Sequence, residues 1–570
     1  MANAAPAQTS GNAPNIPNFR KRWSDLDTEW QSWRPVYADL SDFGLPFTGR
    51  FTETNRNLGN RRYGDIIDST GSRAFLTLAA GLMSGMSSPA RPWFRLGTAD
   101  PDLASFQPVK LWLDAVQKRM LDLFQRTNTY QFLHTAYLEL GLYGTAATFL
   151  DDDFQNVIHG YPLTCGEYRI SANYRGEVDT LARKFQKTVA QLVREFGYAN
   201  CSQATQNLFS SGNLDSWVTC YHLIEPRFDR DPNFAATDAL HKAFASYYWE
   251  DGAATDETYL REGGYDTFPA ICPRWQIFGG DIYGNSPGMV ALGDLKALQH
   301  EQLRKAEGID YQTKPPLQVP SALAGKDVNR FPGGITFYDG TPSNGIRSMF
   351  DVNLNLQYLS QDIQDVRQRI NSACFVDLFL MLQNMDQTQM TATEVAERNE
   401  EKLTVLGPTL ERLQDEALNP LVERTFARMS AAGLLPPPPP ELQGQPLNVE
   451  FISMLAQAQR AVGVTATTRW LQAITTIAQI NPQAVDVLNA DEAVNLSADQ
   501  LGVDPRMVNS DDQVAAIRQQ RQQAAQAQAA QQAALTASTA AKNLGAVNTA
   551  QPNGLSDLLN LTSGYTLPQQ

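Results

Sequence analysis

The chain of 570 residues is 42% hydrophobic, with a formal net charge of −15 and a pI of about 4.9. That length supports several domains and a large core, and the acidic balance argues against a protein that grips nucleic acid through a broad basic face. Five cysteines (Cys165, Cys201, Cys220, Cys272 and Cys374), odd in number and without CxxC spacing, argue against a disulfide framework and fit a reducing compartment. No apolar run approaches the ~18 residues of a membrane span, and the polar N-terminus does not read as a signal peptide, so the expectation is a soluble protein with no membrane partner.

Residues 1–16 carry no charged side chain and no periodicity, the composition of a disordered arm. From Phe19 to about Asp42, Trp23, Trp30, Trp33 and Tyr37 recur among charges, which predicts an amphipathic helix. Asp68, Ser69 or Thr70 caps a helix from about Gly71 to Gly85; its small-residue run AAGLMSGM permits close helix contact, and Pro89 and Pro92 end it. Helices follow at Val109–Phe124 and Phe132–Leu142. Alternation predicts strands at Gly166–Ala172 and Glu177–Phe185 joined by a turn at Asn173–Gly176. A short helix at Val189–Phe196 and strands at Trp217–Leu223, Ala245–Glu250 and Phe268–Gln276 complete an α+β body.

Beyond it, Gly288–Gly308 predicts a helix with an apolar stripe: Ala291, Leu292, Leu295, Leu298, Leu303 and Ala306. A Pro- and Gly-rich insert runs from Tyr311 to about Phe350, with short strand candidates at 317–319 and 334–339. Val352–Leu382 predicts a second long helix, with Leu356, Leu359, Ile363, Val366, Ile370 and Cys374 on one face and Gln361, Asp365, Gln368 and Arg369 on the other. Two helices flanking a compact insert make a hairpin with a head. These stripes are expected to be buried against neighbouring copies of the chain.

The polar loop QNMDQTQMT then leads into Thr391–Gly433. Val395, Leu403, Leu406, Leu410, Leu413, Leu421, Val422, Phe426 and Met429 recur there at helical spacing, with Thr391 and Glu394 as a capping box and Gly433 as a stop. Pro408 and Pro420 each remove a backbone hydrogen bond, which predicts one long, twice-bent helix. LLPPPPPEL is an extended spacer, Leu447–Ile452 reads as a strand returning to the body, and 456–490 as helical. The Ala/Gln-rich stretch from Ser510 to about Lys542 has high helix propensity but a weak apolar face, so it needs partners such as a ring of its own copies.

DSTGSRAFLTLAAGLMSGMSSPARPWFRL, GEYRISANYRGEVDTLARKF and TATEVAERNEEKLTVLGP together resemble the signatures of the head-to-tail connector, or portal, proteins of short-tailed bacteriophages, over about residues 30–460. The resemblance implies a mainly helical α+β portal fold. Its parts would be a disordered arm (1–16), a wing (17–285), stem helix 1 (286–310), a clip (311–350), stem helix 2 (351–382), a tunnel loop (383–391), a bent spine helix (392–433), a wing strand (434–455), a helical crown or barrel (456–548) and a flexible tail (549–570). It implies a homo-oligomeric ring of about twelve copies at one capsid vertex of the virion, assembled in the host cytoplasm. Double-stranded DNA would pass through it without sequence specificity. Its further partners would be the terminase large subunit, a tail adaptor, and the major capsid and scaffolding proteins. A non-portal assembly protein, from the tail or internal core, is the alternative.

The tunnel loop would present Gln383, Asn384, Met385, Gln387, Thr388, Gln389 and Met390, around Asp386. The uncharged hydrogen-bonders among them can touch a phosphate backbone weakly and let go. The stem-lumen candidates are Lys296, Arg304, Lys305, Arg367 and Arg369. Lys314, Lys326, Arg330 and Arg347 in the clip are candidates for docking the packaging motor or the tail adaptor. The stem cations are balanced by Asp294, Glu301, Glu307, Asp362, Asp365 and Asp377, so neither stem helix offers a basic stripe.

Catalytic patterns are weak. There is no GxxxxGK[ST], and the Gly-Gly pairs at 279–280 and 333–334 read as loop turns. The acidic run Asp151–Asp153 reads as a solvated loop, and the histidines (His134, His159, His222, His241 and His300) are isolated. Ser286 sits in GNSPG, but Pro287 lacks the N–H that an oxyanion hole needs, so Ser286 reads as a turn opening the next helix. The expectation is a structural conduit without enzyme activity or cofactor.

Overall fold

A computed structural model of the chain describes residues 19–51, 64–100, 106–228, 238–251, 259–314, 317–318, 347–348, 356–380, 405–442, 447–453 and 511–545, with a few single positions between them. The chain forms two compact units, Met1–Val485 and Asp486–Gln570. No helix among the described residues is long and apolar enough to cross a membrane. All five cysteines are buried free thiols.

Helix α1 (Phe19–Phe43) has the expected amphipathic pattern: Trp30, Tyr37 and Leu40 enter the main core. Helix α2 (Thr70–Met86) is capped by Asp68, whose Oδ1 accepts from Thr70 N (2.9 Å) and Thr70 Oγ1 (2.6 Å); Ser69 makes no side-chain cap bond. Its small residues do permit close approach. A Cβ on Gly71 would lie 2.2 Å from Leu295, and one on Gly81 would lie 2.1 Å from the Phe379 ring. Helices α3 (Gln107–Arg126) and α4 (Thr129–Tyr143) follow, as expected with slightly wider bounds.

Two sheets stand next to these helices. Strands β2 (Ala147–Asp153) and β3 (Val157–Leu163) form a hairpin, joined on the free side of β2 by β9 (Ala270–Ile271). This hairpin corrects the sequence reading of Asp151–Asp153 as a solvated loop: the run ends β2. Asp152 pairs with Arg424 (3.2 Å) and Arg428 (2.8 Å), two cations invisible as neighbours in a linear sequence. The second sheet is an antiparallel meander of β4 (Tyr168–Ala172), β5 (Val178–Thr188), β6 (Trp217–Pro226), β7 (Phe244–Glu250) and β8 (Arg261–Tyr265). The β4–β5 turn is built as read from the sequence. Asn173 Oδ1 accepts from Arg175 N (2.8 Å) and Glu177 N (3.1 Å), and Gly176 takes φ 83°. The strand expected over Phe268–Gln276 shrinks to β9 and two isolated bridges. Helices α5 (Val189–Phe196) and α6 (Gln203–Ser210) sit between β5 and β6.

The meander has two differently covered faces, because side chains alternate along a strand. Arg183 on β5 lies over Phe149 (4.2 Å) and Tyr161 (5.8 Å) of the β2–β3 hairpin. Its neighbour Lys184 lies over Tyr221 (5.6 Å), which meets Trp23 of α1 edge to face (5.0 Å). The hairpin thus covers one face and α1 the other.

Helices α7 (Pro287–Thr313) and α8 (Leu356–Ala373) pack together. Ser286 opens α7 as expected: its Oγ accepts from Met289 N (2.9 Å) and donates to Leu142 O (2.7 Å). The second long helix is not continuous. Cys374 and Phe375 form a turn with Phe375 at φ 53°, and helix resumes over 376–380. A bulky residue there is strained, and the turn delivers Leu378 and Phe379 into the core against the small face of α2. Between these helices, Gln318 of β10 (Leu317–Gln318) pairs with Arg347 of β11 (Arg347–Ser348).

The expected bent helix is described from Val405. It runs to Leu413, passes through a π-turn at Gln414–Leu418 with Asn419 N donating to Gln414 O, and continues as α9 (Asn419–Ala431). The π-turn immediately precedes Pro420, so the widened backbone absorbs what the proline cannot donate. It also turns Glu416 onto buried Arg274 (Oε1–Nη2 2.7 Å, Oε2–Nε 3.2 Å). Strand β12 (Leu447–Phe451) returns to the body as expected and pairs antiparallel with β1 (Phe94–Thr98). In the second unit, α10 (Asp511–Gly545) forms a single helix over the Ala/Gln-rich stretch.

Candidate functional site

The pair α7/α8 carries most of the charged side chains that the sequence singled out, and the structure shows what fastens it. Much of its apolar surface is covered within one subunit: Ala291, Leu295 and Leu298 of α7, and Ile363, Val366 and Ile370 of α8 with Cys374, all lie in the main core. This corrects, for that part of the pair, the expectation that the stripes await neighbouring copies; Leu303 and Ala306 of the α7 stripe are exposed. The physical reason is α2, whose Gly71 and Gly81 leave room for Leu295 and Phe379 to seat directly against its backbone. Val290, Leu303, Ile309, Tyr311 and Tyr358 remain exposed on the pair.

Polar contacts converge on the entry to α2. Asp68, 7% exposed, accepts at Oδ2 from Arg367 Nε (3.0 Å) and Nη2 (2.7 Å) on α8 and from Gln302 Nε2 (2.8 Å) on α7. Gln299, also on α7, accepts at Oε1 from the backbone N–H of Ile67 (2.7 Å) and Asp68 (2.8 Å), and donates from Nε2 to Asp68 O (2.9 Å). Burial pushes the Asp68 carboxyl up, but the hydrogen bonds from Thr70 and Arg367 outweigh it and hold it below the usual carboxylate range. One carboxylate therefore ties three helices together.

The lumen candidates are similarly engaged. Lys296 meets Asp39 of α1 (2.6 Å), Arg367 meets Asp68, Arg369 meets Asp294 across the pair (3.0 Å), and Arg304 meets Glu307 one turn along (2.9 Å). Lys305 lies half-buried on α7. As folded, α7 carries Lys296, Arg304 and Lys305 against Asp294, Glu301, Glu307 and Asp310, while α8 carries Arg367 and Arg369 against Asp362 and Asp365. The pair is near neutral and slightly acidic. Burial and nearby Asp362 raise Glu301 above its ordinary value, in the direction expected where carboxylates crowd.

Lys314 terminates α7, and Arg347 lies in β11. Lys326, Arg330 and the loop candidates Gln383, Asn384, Met385, Gln387, Thr388, Gln389 and Met390 lie outside the described residues, as do Thr391, Glu394 and the strand candidate 334–339. Sequence reading missed Gln299 and Gln302 and took Asp68 only for a cap. The one available signal was their placement on α7: Gln299 follows Leu298 on the buried side, where a polar residue needs a partner.

A family model described as bacteriophage head to tail connecting protein matches residues 17–508. A probable portal protein of Bordetella phage BPP-1 is 52% identical over 546 residues, covering 96% of this chain and 98% of the relative. The portal protein of Salmonella phage epsilon15 is 43% identical over 552 residues, with the same coverages, 96% and 98%.

Proposed function

Since the chain belongs to the family of bacteriophage head-to-tail connecting proteins, we propose that it is a portal protein, the structural ring through which a phage genome enters and leaves the head. The observation that carries this is a relationship to portal proteins over nearly the full length of both chains, rather than over one motif. The protein is a component of the virion, positioned between head and tail, and is made and assembled in the host cytoplasm.

On this reading α7 and α8 are the two stem helices, 311–350 the clip, 383–391 the tunnel loop, 392–433 the spine, and 456–548 a crown or barrel. Residues 17–285 with 434–455 form the wing. Helices packed about 10 Å apart in a ring of about twelve give a bore of roughly 28 Å, wide enough for a duplex about 20 Å across. Charge favours passage over grip. A protein neutralising six to ten phosphates holds DNA strongly at moderate salt, whereas this pair is near neutral and its cations are largely engaged with carboxylates. The tunnel-loop amides would touch the passing backbone weakly. Lys314, Lys326, Arg330 and Arg347 would meet first the terminase large subunit and then the tail adaptor, while the outer wing would meet major capsid and scaffolding proteins.

Negative-stain microscopy of the purified chain tests the reading. A wide ring with an open centre is the expected image; a monodisperse monomer at high concentration would overturn it. A ring that retains duplex DNA at physiological salt would overturn the passing lumen while leaving the ring.

A further inference from the structure

Since α7 and α8 bury much of their apolar surface inside one subunit, a ring needs contacts beyond the pair, and two other surfaces complement each other. The first is a knob. Phe154, at the turn of the β2–β3 hairpin, is fully solvent-exposed (105%), the most exposed large hydrophobic side chain among the described residues. The turn is held by Asp153, whose carboxylate accepts from Gln155 N (2.8 Å) and Asn156 Nδ2 (3.1 Å), and Val157 closes it at φ 70°, a costly conformation for a β-branched residue. Asp151 and Asp153 alternate with Asp152 along β2 just before Phe154, while Asp152 pairs with Arg424 and Arg428.

The second is a cleft of about 440 Å³ between α1 and the β4–β5 edge, walled by Trp23, Trp30 and Phe51. Arg34, Arg50, Arg169 and Lys184 line it against the carboxylates of Asp27 and Glu167, so it is a cationic site on a chain of net charge −15. Arg169 is locked in the wall, 2.7 Å from Asp27 and 3.7 Å over Trp30. The volume falls within the range of ligand clefts and exceeds the ~150 Å³ that holds a benzene ring, leaving room for flanking carboxylates.

Knob and cleft belong to opposite faces of the five-stranded meander, one covered by the β2–β3 hairpin and the other by α1. A head-to-tail ring needs complementary patches on two different sides of each subunit. We infer that Phe154 of one copy docks into the aromatic cleft of the next copy, with Asp151 and Asp153 set against Arg34 and Arg50. The Phe154 ring meets the half-buried Trp23 and Phe51, cations surround it, and the carboxylates fix its approach. This rests on the ring reading above and says which side chains close the ring.

The test mixes two full-length variants, Gln155→Cys beside the knob and Gln31→Cys on the exposed rim of the cleft, and treats them with a short bis-maleimide; the five native thiols are buried. Crosslinked dimers in the mixture, a ladder up to the closed ring for the double variant, and neither for the single variants, are expected. Phe154→Glu is expected to raise the concentration at half assembly by about tenfold or more. If wild-type rings form, no ladder appears and Phe154→Glu assembles as wild type, the docking is overturned and the ring stands; the cleft then serves another occupant, such as residues 1–18 or a capsid partner. A crosslink at monomer mass also overturns it. A wild-type chain that forms no ring removes the ring reading and the docking together.

Discussion

Helices α7 and α10 are both long, 27 and 35 residues, yet their surroundings differ completely. Over its N-terminal half α7 places Ala291, Leu295, Leu298 and Gln299 in the core, while its C-terminal half exposes Leu303, Ile309 and Tyr311. Along α10, every described side chain from Gln513 to Thr539 is exposed except half-buried Val514. Helices draw most of their stability from packing an apolar face. α7 finds much of that packing inside one subunit; α10, rich in Ala and Gln, has high propensity and, among its described side chains, only Val514, Ile517 and Leu535 as large apolar ones. The difference assigns them different roles. α7 is a strut fixed by core packing, and we propose that α10 finds its apolar partners in other copies of the chain.

All nine tryptophans precede Asp486, so intrinsic fluorescence reports the first unit while helical circular dichroism also sees α10. The largest expected break in the contrast is Asp68→Ala. It leaves Arg367, Gln302 and the start of α2 without their shared acceptor and should cost about 3–5 kcal/mol in fluorescence-monitored urea unfolding, since several hydrogen bonds to one largely buried carboxylate are lost together. A stability unchanged within error would mean that the apolar contacts alone seat the pair.

Next in size is a pH effect confined to the first unit. Burial raises the Glu139 carboxyl to about 7, against the opposing hydrogen bonds from Thr164 Oγ1 and Cys165 N. A carboxyl whose folded pKa lies above its unfolded one favours the fold while protonated. Stability should therefore fall as pH rises from about 4.5 to about 7, by about 3 kcal/mol, and Glu139→Gln should flatten that fall. Asp68 acts in the opposite sense. Its lowered pKa gives stability that is present above about pH 4 and lost as pH falls further. Unfolding midpoints measured between pH 3 and 8 separate the two.

Gln299→Leu should cost about 1–3 kcal/mol, since it keeps the volume but strands the N–H groups of Ile67 and Asp68. The smallest effect sharpens the contrast: Ala525→Gly should weaken α10 by about 1 kcal/mol and leave the fluorescence transition unmoved. A shift in that transition would show that the two units are coupled in stability.

The residues that announced themselves were those whose neighbours are close in sequence. The amphipathic run from Phe19, the Asn173–Gly176 turn, the capping role of Asp68 or its neighbours and the Ser286 start of α7 all depend on contacts within a few residues. The β2–β3 hairpin stayed hidden because Asp151–Asp153 reads as solvated until Arg424 and Arg428 arrive from about 270 residues away. The break at Cys374–Phe375 stayed hidden because its compensation, the seat for Phe379 on Gly81, belongs to α2.

Composition, periodicity and three long motifs determined by themselves that this is an acidic α+β chain with a helical pair, a proline-bent helix and the signatures of a head-to-tail connector. They carry that much because helix caps, turns and apolar spacing are local physics written in consecutive residues. Only the tertiary structure decided that the pair buries much of its apolar surface inside one subunit, that Asp68 binds three helices, and that Lys296, Arg304, Arg367 and Arg369 are engaged with carboxylates in the same subunit. Those outcomes depend on which surfaces meet across hundreds of residues, and burial, dielectric and hydrogen-bond geometry exist only once they have met.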